Sequence, residues 1–274
     1  MTQPELYEAF KALHARDGGF VMPNAWDGLS ALVCKAAGFE ALGTSSAAIA
    51  WSLGRHDGAH VVSREEHLAN ARLIGSVSGL PVNGDTEDGF GPSLDDAVAT
   101  VEAAIAAGLA GVAIEDTTAD PAQPIHPFDA AVERVKQAAK TAMGRIMLTA
   151  RTDNFLQGVD DLDDTIKRLV AFAEVGADVL YAPYPPDMEA IRAIVRAVAP
   201  KPVNVVVGPG SGPVPVSELR AVGVKRISLG AAPYKHAIGA LQTALAEAAS
   251  GNLAPIASGI PTSIVMALIP VTPV

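Results

Sequence analysis

The chain has 274 residues, 49% of them apolar, with 30 acidic against 20 basic side chains for a formal charge of −10. That balance argues against nonspecific nucleic-acid binding, the single Cys34 rules out an internal disulfide and fits the reducing cytoplasm, and no run is long and apolar enough to span a membrane. The length suits one (β/α)8 barrel, a fold of about 250 residues, and no low-complexity tract or Gly/Ser linker divides it.

In chain order, the N-terminal segment through Gly19 reads as an amphipathic helix with Leu6, Phe10 and Leu13 on one side, not as a signal peptide. A strand follows at Phe20 to Pro23, then a helix over 27–37 that ends at Gly38, then a strand at Phe39 to Thr44. After a long loop at 45–62 come a helix over 63–78, a strand at Pro81 to Gly84, a helix over 93–107 ending at Gly108, and a strand at Ala110 to Ile114. The second half repeats the pattern with strands at Arg145 to Ala150, Asp178 to Tyr181, Pro202 to Val207 and Lys225 to Leu229, and helices over 129–143, 161–175, 186–198, 216–222 and 235–249. Gly38, Gly108, Gly176 and Gly223 each stand where a left-handed helix C-cap would. Eight strands alternating with helices predict a parallel TIM-type barrel over 1–254. An open doubly wound sheet is the alternative, but the first strand is not followed by a glycine-rich dinucleotide fingerprint.

In such a barrel, catalytic groups sit at the carboxyl ends of strands. Those ends carry Thr44, Ser45 and Ser46 with Arg55, His56 and Asp57 beyond, then Asp85, Glu87 and Asp88, then Glu115 and Asp116, then Arg151, Thr152 and Asp153. Alone, the turn Asn83-Gly84-Asp85-Thr86-Glu87-Asp88-Gly89 has two readings, a solvated acidic loop or a cradle for a hard divalent cation. Carboxylates so crowded on one rim would repel without a cation among them, and this favours the metal reading. Asp88 and Asp116 are open to use as helix N-caps or as supports of the metal-facing groups.

The motifs Gly84-Asp85-Thr86-Glu87-Asp88-Gly89-Phe90-Gly91, Ala113-Ile114-Glu115-Asp116-Thr117 and Thr149-Ala150-Arg151-Thr152-Asp153-Asn154-Phe155 resemble the isocitrate lyase and phosphoenolpyruvate mutase superfamily. The resemblance runs from Pro23-Asn24-Ala25-Trp26-Asp27 to the fifth strand and more weakly to the last helix. It implies a Mg²⁺ site, with Mn²⁺ as the alternative, formed by Asp85, Glu87 and Glu115 with Asp57 beside it. It also implies that Arg151 binds the substrate's anionic end, that the turn Ser45, Ser46 and Ala47 takes a carboxylate or phosphonate, and that the reaction passes through a pyruvate-type enolate of a small 2-oxo acid. The family further implies that the segment 255–274, apolar with four prolines, exchanges onto a neighbouring subunit of a homo-oligomer, a dimer of dimers.

The chain departs from the best-known members of the family. Its fourth-strand loop, Thr117 to Pro127, lacks the catalytic cysteine of isocitrate and methylisocitrate lyases, and Cys34 lies in the helix over 27–37, away from the strand ends, where a core role is expected. Ala182-Pro183-Tyr184 replaces the glutamate those lyases carry after the sixth strand, and Gly43 replaces a mutase aromatic. His126, Tyr181 and Tyr184 are the candidate proton donors, each also readable as a packing residue. Three functions follow: a Mg²⁺-dependent lyase or decarboxylase of an oxaloacetate-like acid, phosphorus–carbon chemistry on a phosphonopyruvate-like acid, or a binder of acids such as 2-oxoglutarate with little turnover.

Overall fold

Short β-branched runs that emerge from alanine-rich helices have one way to bury both faces, which is to pair in parallel beneath those helices. The computed structural model describes residues 1–270 and shows that arrangement. In order it holds α1 (Gln3–Ala15), β1 (Phe20–Met22), α2 (Gly28–Ala36), β2 (Leu42–Gly43), α3 (Ser46–Ser52), α4 (Arg64–Ser78), β3 (Val82–Asp85), α5 (Leu94–Ala106), β4 (Gly111–Glu115) and α6 (Phe128–Ala142). Then follow β5 (Met147–Arg151), α7 (Leu162–Glu174), β6 (Val179–Tyr181), α8 (Met188–Val198), β7 (Val203–Val206), α9 (Val216–Ala221), β8 (Arg226–Ser228), α10 (Ala232–Ala249), α11 (Ala254–Ala257) and α12 (Thr262–Leu268).

All eight strands are parallel in the order β1-β8-β7-β6-β5-β4-β3-β2. A parallel bridge between Asn24 and Gly43 joins the two ends and closes the (β/α)8 barrel. The four glycines expected as C-caps have left-handed φ of +86° at Gly38 and Gly108, +113° at Gly176 and +95° at Gly223. Side chains alternate across the strands: on β4, Val112 and Ile114 join the helix-facing core, while Gly111 faces Asn83 and Phe10 inside the barrel. Helix α8 shows the complementary pattern, burying Ala190, Ile191, Ile194 and Val198 at helical spacing. Full burial of each isoleucine contributes about 1.5–3 kcal/mol.

The N-terminal helix closes the bottom of the barrel. Its Phe10 and Leu13 pack with Phe20, Met22, Met147 and Val179 in a cluster distinct from the main core. Because the bottom is plugged, access to the interior is from the strand carboxyl ends.

Two expectations change in detail. The second strand shrinks from Phe39–Thr44 to Leu42–Gly43 because the Phe39 amide is taken by the carbonyl of Cys34 at the end of α2. The loop at 45–62 contains α3, since the run Ala47-Ala48-Ile49-Ala50 has high helix propensity and Ser45 caps it from in front. At the other end of the chain, α12 packs against α2 of the same chain.

Candidate active site

Strand ends bring the predicted polar residues around a cavity of about 270 Å³ at the open end of the barrel, lined by Ser45, Ser46, Ala47, Asp57, Asp85, Arg151 and Tyr181 among others. An adjoining cleft, sharing Ser46, Asp57 and Arg151, is bordered by Glu87, Asp88 and Glu115. Asp57 therefore stands where the two meet. Surrounding protein pushes its carboxyl up to about 6, chiefly through loss of water and then through the charges of Asp85 and Glu87.

Arg151 ties the rim together. Its Nη1 donates to Glu115 Oε1 at 2.6 Å and lies 3.7 Å from Asp85 Oδ1, while Nε and Nη2 grip the two oxygens of Asp153. Its guanidinium carbon stands 5.3 Å from the centre of the Tyr181 ring. The cation that the crowded carboxylates require is thus partly supplied by the chain itself. Burial raises the Glu115 carboxyl, and Arg151 opposes that shift.

Asp85 is tied to the turn that follows β2. Its amide donates to Thr44 Oγ1 at 2.8 Å, and its Oδ2 accepts from the Ser46 amide at 2.9 Å. Glu87 is held in the left-handed region at φ +47°, accepts from the His60 amide at 3.3 Å, and faces the buried His67 Nε2 at 3.4 Å. A non-glycine residue in that conformation is uncommon and is kept only where the surroundings fix it.

What fixes it was not legible in the sequence. Arg134, buried on α6, donates to the carbonyls of Asp88, Gly91 and Pro92 at 2.9, 3.0 and 2.8 Å and so holds the acidic turn from behind. His60 Nε2 meets Asp88 Oδ1 at 2.6 Å. Neither Asp88 nor Asp116 is a helix cap, because Ser93 caps α5 and Pro127 precedes α6. Asp116 instead accepts from the Asp153 amide at 2.9 Å and from Arg168 at 3.2 Å, joining the ends of β4 and β5.

Of the candidate proton donors, Tyr181 and Tyr184 line the cavity. His126 lines neither the cavity nor the adjoining cleft; its amide and carbonyl are bound to Asp116 and Arg168, and burial with Arg134 nearby lowers its pKa. Cys34 packs against the core on α2, as expected, and burial raises its thiol pKa. Asn24, which marks the start of the family resemblance but has no role assigned from sequence, clasps three strand ends: its amide donates to Thr44 O at 2.7 Å and its oxygen accepts from the Leu229 and Gly230 amides. Gly43 is required there, since a Cβ would come within 2.8 Å of the Asn24 amide nitrogen and 3.1 Å of Met22 Cε.

Asp57, Asp85, Glu87 and Glu115 are all hard oxygen donors, the chemistry that Mg²⁺ prefers. Among the described residues no three acidic, histidine or cysteine side chains stand close enough to clamp an ion by themselves. Such a donor set fits an ion that keeps most of its ligands as water and substrate.

Parallel barrel and strand-end cavity together define a barrel enzyme architecture, with its polar site where this fold carries its chemistry. The chain belongs to the isocitrate lyase and phosphoenolpyruvate mutase superfamily of lyases and mutases: residues 10–249 match the family described as phosphoenolpyruvate phosphomutase. A crystal structure from Burkholderia cenocepacia J2315, provisionally assigned as a lyase or mutase, is 42% identical, with a TM-score of 0.93 over 97% of this chain and 95% of that one. An uncharacterised Mycobacterium tuberculosis protein is 33% identical over 248 residues, which are 90% of this chain and 91% of its own. Oxaloacetate decarboxylase 2 of Pseudomonas fluorescens is 29% identical over 251 residues, 89% of this chain and 84% of the relative.

Proposed function

We propose that the protein is a Mg²⁺-dependent carbon–carbon lyase that acts on a small 2-oxo acid of oxaloacetate type, by decarboxylation or by cleavage, through a pyruvate-type enolate. The observation that carries this reading is the meeting of Asp57, Asp85 and Arg151 at a cavity of about 270 Å³, a volume suited to an acid of a few carbons. Similarity to an oxaloacetate decarboxylase over most of both chains supports the substrate class.

Asp85, Glu87 and Glu115 would hold Mg²⁺, or Mn²⁺ in its place, with Asp57 beside it. Such an ion supplies a Lewis acid where negative charge develops on the substrate's 2-oxo oxygen. Arg151 orients the anionic end, its fork already fixed by Glu115 and Asp153. The Ser45, Ser46 and Ala47 turn offers backbone amides and hydroxyls to a carboxylate. Tyr181 is the group assigned to return a proton to the enolate carbon: burial raises its phenol pKa, so it remains protonated at neutral pH. His126 is not needed in that role. The loop between α3 and α4, with Ala59 and His60 at positive φ beside the cleft, is placed to exclude water.

The test is to incubate the protein with Mg²⁺ and, separately, oxaloacetate, methylisocitrate, isocitrate and phosphonopyruvate. Metal-dependent loss of oxaloacetate supports the reading. Phosphate or phosphoenolpyruvate from phosphonopyruvate alone would move it to phosphorus–carbon chemistry, and tight binding without product from any of the four would make the protein a 2-oxo acid binder.

A further inference from the structure

The cavity floor holds a positive charge that the chain does not balance. Arg226, the first residue of β8, is 1% exposed and lines the same cavity as Arg151 and Asp85. Its Nε donates to Asn204 Oδ1 at 2.9 Å, its Nη2 to Thr149 Oγ1 at 3.0 Å, and its Nη1 faces His14 Nε2 at 3.5 Å. An amide, a hydroxyl and an imidazole are all neutral acceptors, and burial together with Arg226 keeps His14 uncharged. Of the guanidinium's five N–H groups, these contacts engage three.

The other two buried arginines are compensated differently. Arg168 pairs with Asp116 and Asp164, and Arg134 spends its donors on three carbonyls at the back of the acidic turn, away from the cavity. Arg226 alone among the three combines full burial, neutral partners and a place in the cavity wall. An ionised group so placed is costly unless an opposite charge joins it. Thr149, which it touches, lies two residues before Arg151 on the same face of β5. Arg226 therefore sits one layer beneath the rim arginine.

We propose that Arg226 is a substrate-binding residue, its guanidinium serving as counter-charge to a carboxylate that reaches the cavity floor, so that the cavity takes a small carboxylic acid held between Arg151 and Arg226. The assignment rests on the same cavity as the lyase reading. The competing account is a purely structural one, in which Arg226 is a spacer that holds Asn204, Thr149 and His14 in place.

Arg226→Met separates the two, because it keeps the length of the side chain and removes its charge. Oxalate, a small dianion, is the probe, titrated calorimetrically into the full-length protein with Mg²⁺ present, and melting is followed with and without it. Binding predicts that the ligand-free variant melts at or above the wild-type temperature, since an uncompensated buried charge is gone, and that oxalate affinity falls about 30-fold. Oxalate affinity within threefold of wild type, or a lower melting temperature with affinity retained, would overturn the assignment in favour of the spacer. Should the methionine variant not fold, Arg226→Lys keeps the charge but loses the fork, and an affinity loss of about fivefold is expected; unchanged affinity contradicts the proposal. Wild-type protein that does not bind oxalate also contradicts it. Turnover of oxaloacetate is scored separately: binding that depends on Arg226 without product keeps this inference and removes only the lyase reading.

Discussion

At the scale of single residues, the groups that could be placed from sequence are those whose role follows from standing at a strand end. Asp85, Glu115 and Arg151 belong to this set, since eight alternating strands dictate where their carboxyl ends point. Asn24, Arg134 and Arg226 could not be found that way, because their partners are far off in the chain and meet only in the closed barrel: Asn24 reaches Gly230, and Arg134 reaches Asp88. Replacing Arg134 by methionine should leave three carbonyls, two of them in buried contacts, without their donor and cost about 3 kcal/mol of stability; a loss below 1 kcal/mol in a urea titration would contradict its role behind the acidic turn. His14 makes a pH prediction. Its pKa in the fold is held near 3 by burial and by Arg226, against about 6.5 in the unfolded chain. As pH falls below 6.5 the unfolded chain takes up a proton that the native protein refuses, so stability is complete above that pH and declines towards 3. From pH 7 to 5 this group should remove about 2 kcal/mol. His14→Gln should flatten the acid decline of the melting temperature, and an unchanged decline would contradict the assignment.

At the scale of elements, alternation of strand and helix was readable throughout because each element carries its own period and four helix ends carry a capping glycine. Legibility failed where local chemistry and tertiary position diverge. Helix α3 lies within the segment 45–62 that the sequence presents as a long loop, although its alanines and the Ser45 cap announce a helix. Strand β2 is shorter than its hydrophobic pattern predicts, because that pattern does not reveal that the Phe39 amide is already used by the preceding helix. Packing between elements gives a further prediction on β4. A Cβ at Gly111 would come within 2.6 Å of Asn83 Oδ1, on the paired residue of β3, and 2.7 Å of Phe10 Cε1 on the plug helix. Gly111→Ala should therefore destabilise the protein by about 1–3 kcal/mol, read as a lower melting temperature. A variant as stable as wild type would show that the plug helix α1 yields more easily than its packing suggests.

For the whole molecule, the C-terminal helices leave a surface that the barrel does not use. No described residue of α10 is buried, and Ile238, Leu241 and Leu245 are exposed along it, with Ile256, Ile260, Ile264 and Met266 exposed beyond. Apolar exposure on this scale marks an interaction surface, and we propose that second copies of the chain cover it in a homotetramer; light scattering after gel filtration should give four times the 28.1 kDa chain mass, and a monomer at micromolar concentration would contradict the proposal. The central claim concerns the rim, where Asp85 meets Arg151 and the Ser46 amide. It is tested most directly by following oxaloacetate consumption by wild type and Asp85→Ala, each with Mg²⁺ and with EDTA. The account predicts product from wild type only with the metal, and a loss of at least about 100-fold in the variant, the order expected when a transition-state charge stabiliser is removed. Equal turnover by the two proteins, or turnover indifferent to EDTA, would contradict it.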